Sequence, residues 1–309
     1  MKVSLPSGAD GPGTVPSGAL RHGRLTRFQA ALRDWYGPRA RPLRIRSTRD
    51  PWGILVSEVM AQQTQIARVD AAWAMFIERY PTPAALATAP TADVLRAWAG
   101  LGYNRRALNL RRAAEIIVAE HDGQVPVYVE ALEALPGIGP YTARAVAAIA
   151  FGQPVAAVDT NVRRVVNRVL GTELPPARLQ AEADAWVDRD DPATWTHATM
   201  ELGATVCVAR RPRCEACPVA SWCDSAGQVE LALAGPPPST PAVPFEHTSR
   251  WLRGRIVDRL RALDDREWIT LPERLGHHDA PDIEDAVSAL EREGLLERRS
   301  DGAVRLPSS

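Results

Sequence analysis

All four cysteines of the chain fall within one short stretch, as Cys207-x6-Cys214-x2-Cys217-x5-Cys223. Without a secretory signal, that spacing argues for a metal centre rather than disulfides. Four thiolates in one loop suit tetrahedral zinc or an iron–sulfur cluster. Zinc ribbons favour two Cys-x2-Cys knuckles, and this loop has one. Buried, unligated thiols are the weaker alternative, since all four crowd together. Arg210, Arg211 and Arg213 would make the same loop a surface for phosphate.

Two carboxylates stand in unusual company. Glu58 interrupts the apolar run Ile54-Leu55-Val56-Ser57-Glu58-Val59-Met60, and the uncharged cluster Gln62-Gln63-Thr64-Gln65 follows it. A solvated helix face is the ordinary place for such an acid, yet these neighbours imply burial. Glutamines reach base edges and fill space. Burial raises a carboxyl pKa toward neutrality, as a general acid requires. Asp159, in Val158-Asp159-Thr160-Asn161-Val162, is a natural N-cap for the helix carrying Val162, Val165, Val166 and Val169. A cap also fixes a carboxylate at a helix end. Between the two acids runs Leu135-Pro136-Gly137-Ile138-Gly139-Pro140-Tyr141-Thr142. It is either a plain helix–helix turn or one whose glycines bare N–H groups to hold a phosphate without reading sequence.

The elements that must position these groups are helical. From Pro51 to about Val169 apolar residues recur at helix spacing. Leu55, Val59, Ile66, Val69, Trp73 and Phe76 form one stripe; Leu95, Trp98 and Leu101, then Leu108, Ala113, Ile116 and Ile117, form others. Breaks fall at Pro81-Thr82-Pro83, Gly100-Leu101-Gly102, Asp122-Gly123 and Pro136-Gly137. No long stretch alternates with a period of two, so the body is expected to be all-α. Residues 1–23 read as a disordered leader and 229–244, with Gly235-Pro236-Pro237-Pro238, as a stiff linker. Beyond it, amphipathic helices at Ser249–Leu263 and Asp282–Arg292 precede a hairpin signal at Ser300-Asp301-Gly302. The expectation for 245–309 is a small winged-helix-like module.

The 309 residues carry 37 basic and 37 acidic side chains, with 45% hydrophobic content. These are globular averages and exclude a mainly disordered or collagen-like chain. Zero net charge means that any nucleic-acid surface must be local. Lys2 is the only lysine, so phosphate contacts would be guanidinium forks. No apolar run approaches the roughly 20 residues needed to span a bilayer. A cytoplasmic monomer without membrane contact is expected.

The 6-2-5 cysteine spacing resembles the [4Fe–4S] loop of the endonuclease III superfamily of DNA glycosylases. Pro136 to Thr142 followed by Asp159 resembles that superfamily's helix–hairpin–helix and Gly/Pro–Asp element. With Ser57-Glu58-Val59-Met60-x-Gln62-Gln63-Thr64-Gln65, Gly100-Leu101-Gly102-Tyr103 and Met200-Glu201-Leu202-Gly203-Ala204, the chain is similar to the MutY family of adenine DNA glycosylases. The likeness covers about residues 45 to 225, in the family's order.

The resemblance implies a two-lobed fold: residues 24–50 and 157–228 in a cluster-bearing lobe, 51–156 in a helical lobe holding the helix–hairpin–helix. It implies a [4Fe–4S] cluster on Cys207, Cys214, Cys217 and Cys223, and mismatched or lesion-bearing duplex DNA as partner. Cleaving an N-glycosidic bond needs leaving-group protonation and stabilisation of a cationic sugar. By resemblance Glu58 protonates a flipped-out purine and Asp159 stays ionised beside the sugar. Tyr141 stands where the lyase branch has its nucleophilic Lys, which implies a glycosylase without strand cleavage. Gln62 would fill the void left by the base, Tyr103 would wedge into the strand opposite, and Gln63, Arg46 and the hairpin (Pro136, Gly137, Ile138, Gly139, Thr142) would contact DNA. Tyr103 as a core aromatic is the equal alternative on residue type alone.

Departures bear on the substrate. The family's Leu-Pro-Trp-Arg is Leu43-Arg44-Ile45-Arg46 here, with Ile45 where a Trp would wall the adenine pocket. His197 stands where members commonly have a Glu or Gln; an ordinary core histidine is the equal alternative. Leu43, Ile45, Arg46, His197 and Met200 are therefore the expected base pocket. Residues 245–309 are too short for the Nudix-like domain that many members carry. The leading expectation is excision of adenine opposite 8-oxoguanine or guanine. The alternatives are a mismatch glycosylase for thymine, uracil or another purine lesion, and a non-catalytic iron–sulfur DNA-binding or redox-sensing protein.

Overall fold

A computed structural model describes residues 22–228, 243–264 and 267–308. Most of the expected leader and linker therefore lies outside the described residues. In chain order the helices are α1 (His22–Tyr36), α2 (Arg44–Ser47), α3 (Pro51–Ala61), α4 (Ile66–Arg79), α5 (Pro83–Ala87), α6 (Thr91–Ala97) and α7 (Arg105–Glu120). There follow α8 (Val129–Glu133), α9 (Pro140–Phe151), α10 (Thr160–Val169), α11 (Pro176–Trp186) and α12 (Pro192–Thr205). The C-terminal module has α13 (Ser249–Arg261), α14 (Ala280–Arg292), β1 (Glu297–Arg298) and β2 (Val304–Arg305).

Apolar side chains sort into two cores. One gathers α3 to α9, and its central helix is α3, buried on nearly every face by Trp52, Ile54, Leu55, Val56, Val59 and Met60. Asp50 starts α3 by accepting from the amides of Trp52 and Gly53, with Pro51 in the first turn. The second core joins Phe28 and Leu32 of α1 to α10, α11 and α12. Met200 touches both cores, so α12 lies along the seam. The expected single stripe from Leu55 to Phe76 is two helices. The backbone turns at Gln62–Gln65, where Gln63 has φ 55°, and α4 begins afresh at Ile66.

The C-terminal module consists of two helices followed by a short hairpin. β1 and β2 pair antiparallel, with Glu297 opposite Arg305, and Ile269 adds a bridge to Val304. The turn uses Gly302 at φ 84°. A module behind a stiff linker reads as tethered, but the structure docks it. Leu252, Ile256, Val257 and Leu260 of α13 enter the same core as α3 to α9. Arg261 donates to Leu95 O at 2.8 Å and to Asn104 Oδ1 at 2.7 Å, while Arg96 donates back to Leu263 O at 2.9 Å.

Candidate active site

Glu58, Tyr141, Asp159 and Met200 come from four helices and meet where the two cores join. Glu58 is the one acid on the buried helix α3. Burial pushes its carboxyl up to about 7, and the nearby Asp159 charge adds to this, while a hydrogen bond with Tyr141 and the charge of Arg46 oppose it. Tyr141 enters in the first turn of α9. Burial first, then the charges of Glu58 and Asp159, raises its hydroxyl well above the usual tyrosine range. It keeps its proton. Its Oη lies 3.7 Å from Met200 Sδ, but a thioether is a weak acceptor and the single proton goes to the carboxylate when Glu58 is ionised.

Asp159 caps α10. Its Oδ1 accepts from the amides of Asn161 at 2.9 Å and Val162 at 2.7 Å, and its Oδ2 from Asn161 Nδ2 at 2.7 Å. These donors, at the positive end of α10, fix a carboxylate in one orientation. The cap and the proposed charge stabiliser are one group.

The expected base pocket divides. Leu43, Arg46 and His197 line a cavity of about 330 Å³ with Tyr36 and Ile149. Ile45 does not line it; its side chain packs on the first core and its amide donates to Asp70 Oδ1 at 3.2 Å. Met200 sits at Tyr141 instead. Burial pushes His197 down to about 4, with the Arg46 charge adding, so its imidazole is neutral at neutral pH. Arg46 is not a surface group awaiting phosphate. Its Nη2 pairs with Glu201 Oε2 at 2.6 Å, with its side chain 13% exposed. The reason is Glu201, which at 2% exposure requires cations: Arg41 grips it through Nε at 2.7 Å and Nη2 at 2.8 Å. Arg46 Nη1 is left buried without an acceptor among the described residues.

On the expected DNA face, Gln62 Nε2 donates to Gly137 O and Thr142 Oγ1, both at 3.2 Å. It thereby ties the end of α3 to the hairpin. Gly137 has φ 78°, and a Cβ there would stand 2.8 Å from Asn109 Cβ. Ile138 and Thr142 bury their side chains, so the hairpin offers backbone rather than side chains. Gly139 starts α9 without a side-chain cap, which leaves amides at a helix N-terminus. Pro136 lies part-buried before them. Gln63 and Tyr103 are exposed and hold φ 55° and 46°, conformations that bulky side chains rarely adopt.

The cysteine loop follows α12. Cys207, Cys214, Cys217 and Cys223 are free thiols lining one cavity of about 480 Å³. Among the described residues no group of three or more is arranged to hold a single metal ion. Four thiols around one cavity are the donor set an iron–sulfur cluster takes. The charge fits as well. Arg168 Nη1 lies 3.4 Å from Cys207 Sγ, and Arg168 and Arg164 donate to the carbonyls of Val208 at 2.8 Å and Cys207 at 2.7 Å. Both arginines stand on α10, the helix that Asp159 caps.

Residues 56–188 match the HhH-GPD superfamily of base excision DNA repair proteins, and 207–223 match the iron–sulfur binding domain of endonuclease III. An adenine DNA glycosylase of Mycobacterium tuberculosis (strain CDC 1551 / Oshkosh) is 43% identical over 271 residues, 83% of this chain and 86% of that one. The chain belongs to the adenine DNA glycosylase family. Another relative in that family, from Mycolicibacterium smegmatis, is 40% identical over 291 residues, 89% of this chain and 94% of its own. A solved thermostable thymine-DNA glycosylase has the same fold, with TM-score 0.63 and 28% identity over 66% of this chain and 97% of its own.

As a family member the chain carries a [4Fe–4S] cluster, and its four cysteines, all within the matched residues, would hold it. The thiolates of residues 207–223 would be tied together by a bound cluster; Arg164 and Arg168 join that loop to α10. No described helix is long and apolar enough to cross a membrane. Sequence reasoning missed Glu201, Arg41 and Arg106. Glu201 carries a signal, an acid between Met200 and Leu202, equivalent to the one that marked Glu58. Arg106 carries none, although it donates through Nη1 to Val59 O, Met60 O and Gln62 O at 2.9, 2.8 and 2.6 Å and through Nη2 to Leu101 O at 3.0 Å. It fastens the end of α3 to the Tyr103 loop.

Proposed function

We propose that the chain excises adenine from duplex DNA in which it is mispaired with 8-oxoguanine or guanine, acting as a cytoplasmic monomer and without cleaving the strand. The observation that carries this is the raised acid of Glu58 beside Tyr141 and Asp159. With the adenine flipped out, the Glu58 carboxyl gives its proton to a ring nitrogen of the base. The bond between the base and C1′ breaks, and its electron pair leaves with the neutral base. The Asp159 carboxylate stabilises the cationic sugar until water adds to C1′ and gives its proton to the Glu58 carboxylate, which returns to its acid form. Tyr141 donates to Glu58 once it is ionised and keeps it oriented. No Schiff base can form at Tyr141, since a phenol is not an amine. Neutral His197 and Leu43 would wall the base.

The test is base release from duplexes carrying each base in turn opposite 8-oxoguanine and opposite guanine. Adenine release is expected, with strand breaks appearing only after alkali. Release of thymine or uracil instead would favour the mismatch alternative, which a 32% identical thymine-DNA glycosylase of Aeropyrum pernix keeps in view.

A further inference from the structure

Tyr103 is one member of a run of contacts in which rings and guanidinium groups alternate. It begins at Trp98, fully buried, with Arg106 at 5.4 Å from the Trp98 centroid and 5.5 Å from that of Tyr103. It continues through Arg250, 5.4 Å from the Tyr103 centroid and 4.9 Å from that of Phe245. Arg250 Nη1 also donates to Tyr103 Oη at 2.5 Å. Trp98, Tyr103 and Arg106 belong to the α3–α9 lobe, whereas Phe245 and Arg250 belong to the C-terminal module. The solvent end is open, with Tyr103 40% and Phe245 51% exposed.

Local chemistry does not account for Arg250. It occupies the first turn of α13, where the helix dipole disfavours a cation, and that turn holds no acid. No carboxylate pairs with it among the described residues. Its place is nevertheless fixed: Thr248 caps α13, and Trp251 packs so closely that a Cβ on Gly276 would lie 2.5 Å from its ring.

We propose that Arg250 is a positioning residue for Tyr103, and that the C-terminal module thereby forms part of the face gripping the strand opposite the excised base. The partner is the nucleotide strand itself. A ring braced by guanidinium groups offers a stacking surface to an unstacked base. This rests on the proposed glycosylase function, in which Tyr103 enters that strand.

The test uses the full chain in a Glu58→Gln background, so that no base is lost while duplex affinity is measured. Arg250→Ala is expected to weaken binding of an adenine:8-oxoguanine duplex about five- to tenfold, with little effect on a fully paired duplex and an unchanged melting temperature. Arg250→Lys should recover part of the loss, and Tyr103→Phe, lacking only the hydroxyl, should lose part of it. In a Tyr103→Ala background Arg250→Ala should cost nothing more. An equal loss with and without Tyr103 would overturn the proposal, since Arg250 would then act alone. So would a silent Arg250→Ala where Tyr103→Ala weakens binding. If Tyr103→Ala itself binds like the parent, the wedge assignment fails and the proposal with it, an outcome distinct from the previous two.

Discussion

At the scale of single residues the site trades stability for an acid. A carboxyl carried from 4.5 to about 7 by burial binds its proton more tightly folded than unfolded. Its contribution to stability is therefore complete below about pH 4.5 and is lost as pH rises through 7, to a total of about 3 kcal/mol. Glu58→Gln should accordingly melt like the wild type near pH 5 and be the more stable by about that amount at pH 8, while losing base release. Thermal melts of both chains across that range check the sign. Glu58 was legible in the sequence because an acid inside an apolar run is anomalous whatever surrounds it. Asp159 was legible because a cap has a local pattern. The packing of Ile45 was not legible, because its position in the chain could not say which side of α2 faces the cavity.

At the scale of elements, the two carboxylates proposed to act on the nucleotide are only as well placed as the helices that carry them. Gly203 lets α12 lie against the start of α10; a Cβ there would stand 2.5 Å from Asn161 Cβ. Gly203→Ala must push Asn161 and hence the Asp159 cap. A stability loss of about 1–3 kcal/mol is expected, with a fall in single-turnover rate larger than that of a surface Gly→Ala. Denaturant melts and single-turnover assays together separate the two effects. The helices themselves were readable from apolar spacing and Pro/Gly breaks. The tie of Arg106 to the end of α3 and the pairing of Arg41 with Glu201 were not, because each joins residues far apart in sequence whose types alone do not declare a partner.

At the scale of the whole molecule, the cysteine loop, α10 and its Asp159 cap are joined through Arg164 and Arg168, and the C-terminal module docks on the α3–α9 core. The Pro-rich composition of 229–244 invites the picture of a detachable tail. The shared core contradicts it, since α13 covers α6 and side chains of both donate across the contact. Ending the chain at Gln228 should cost at least about 3 kcal/mol, the re-exposure of one or two large apolar side chains. It should also weaken duplex binding; a truncated chain that melts as high as the full one would show the docking to be dispensable. Such contacts depend on packing between distant segments, which periodicity within each segment does not encode.

The central claim is proton donation by Glu58 with Asp159 beside it. The measurement that bears on it most directly is the single-turnover rate of adenine release from an adenine:8-oxoguanine duplex between pH 5 and 9, for the wild type and Glu58→Gln. A wild-type rate that falls tenfold per pH unit above about 7, with no such fall in a residual Glu58→Gln rate at least about a hundredfold lower, is the predicted result. A flat wild-type profile through pH 9, or a Glu58→Gln chain that releases adenine at the wild-type rate, would contradict it.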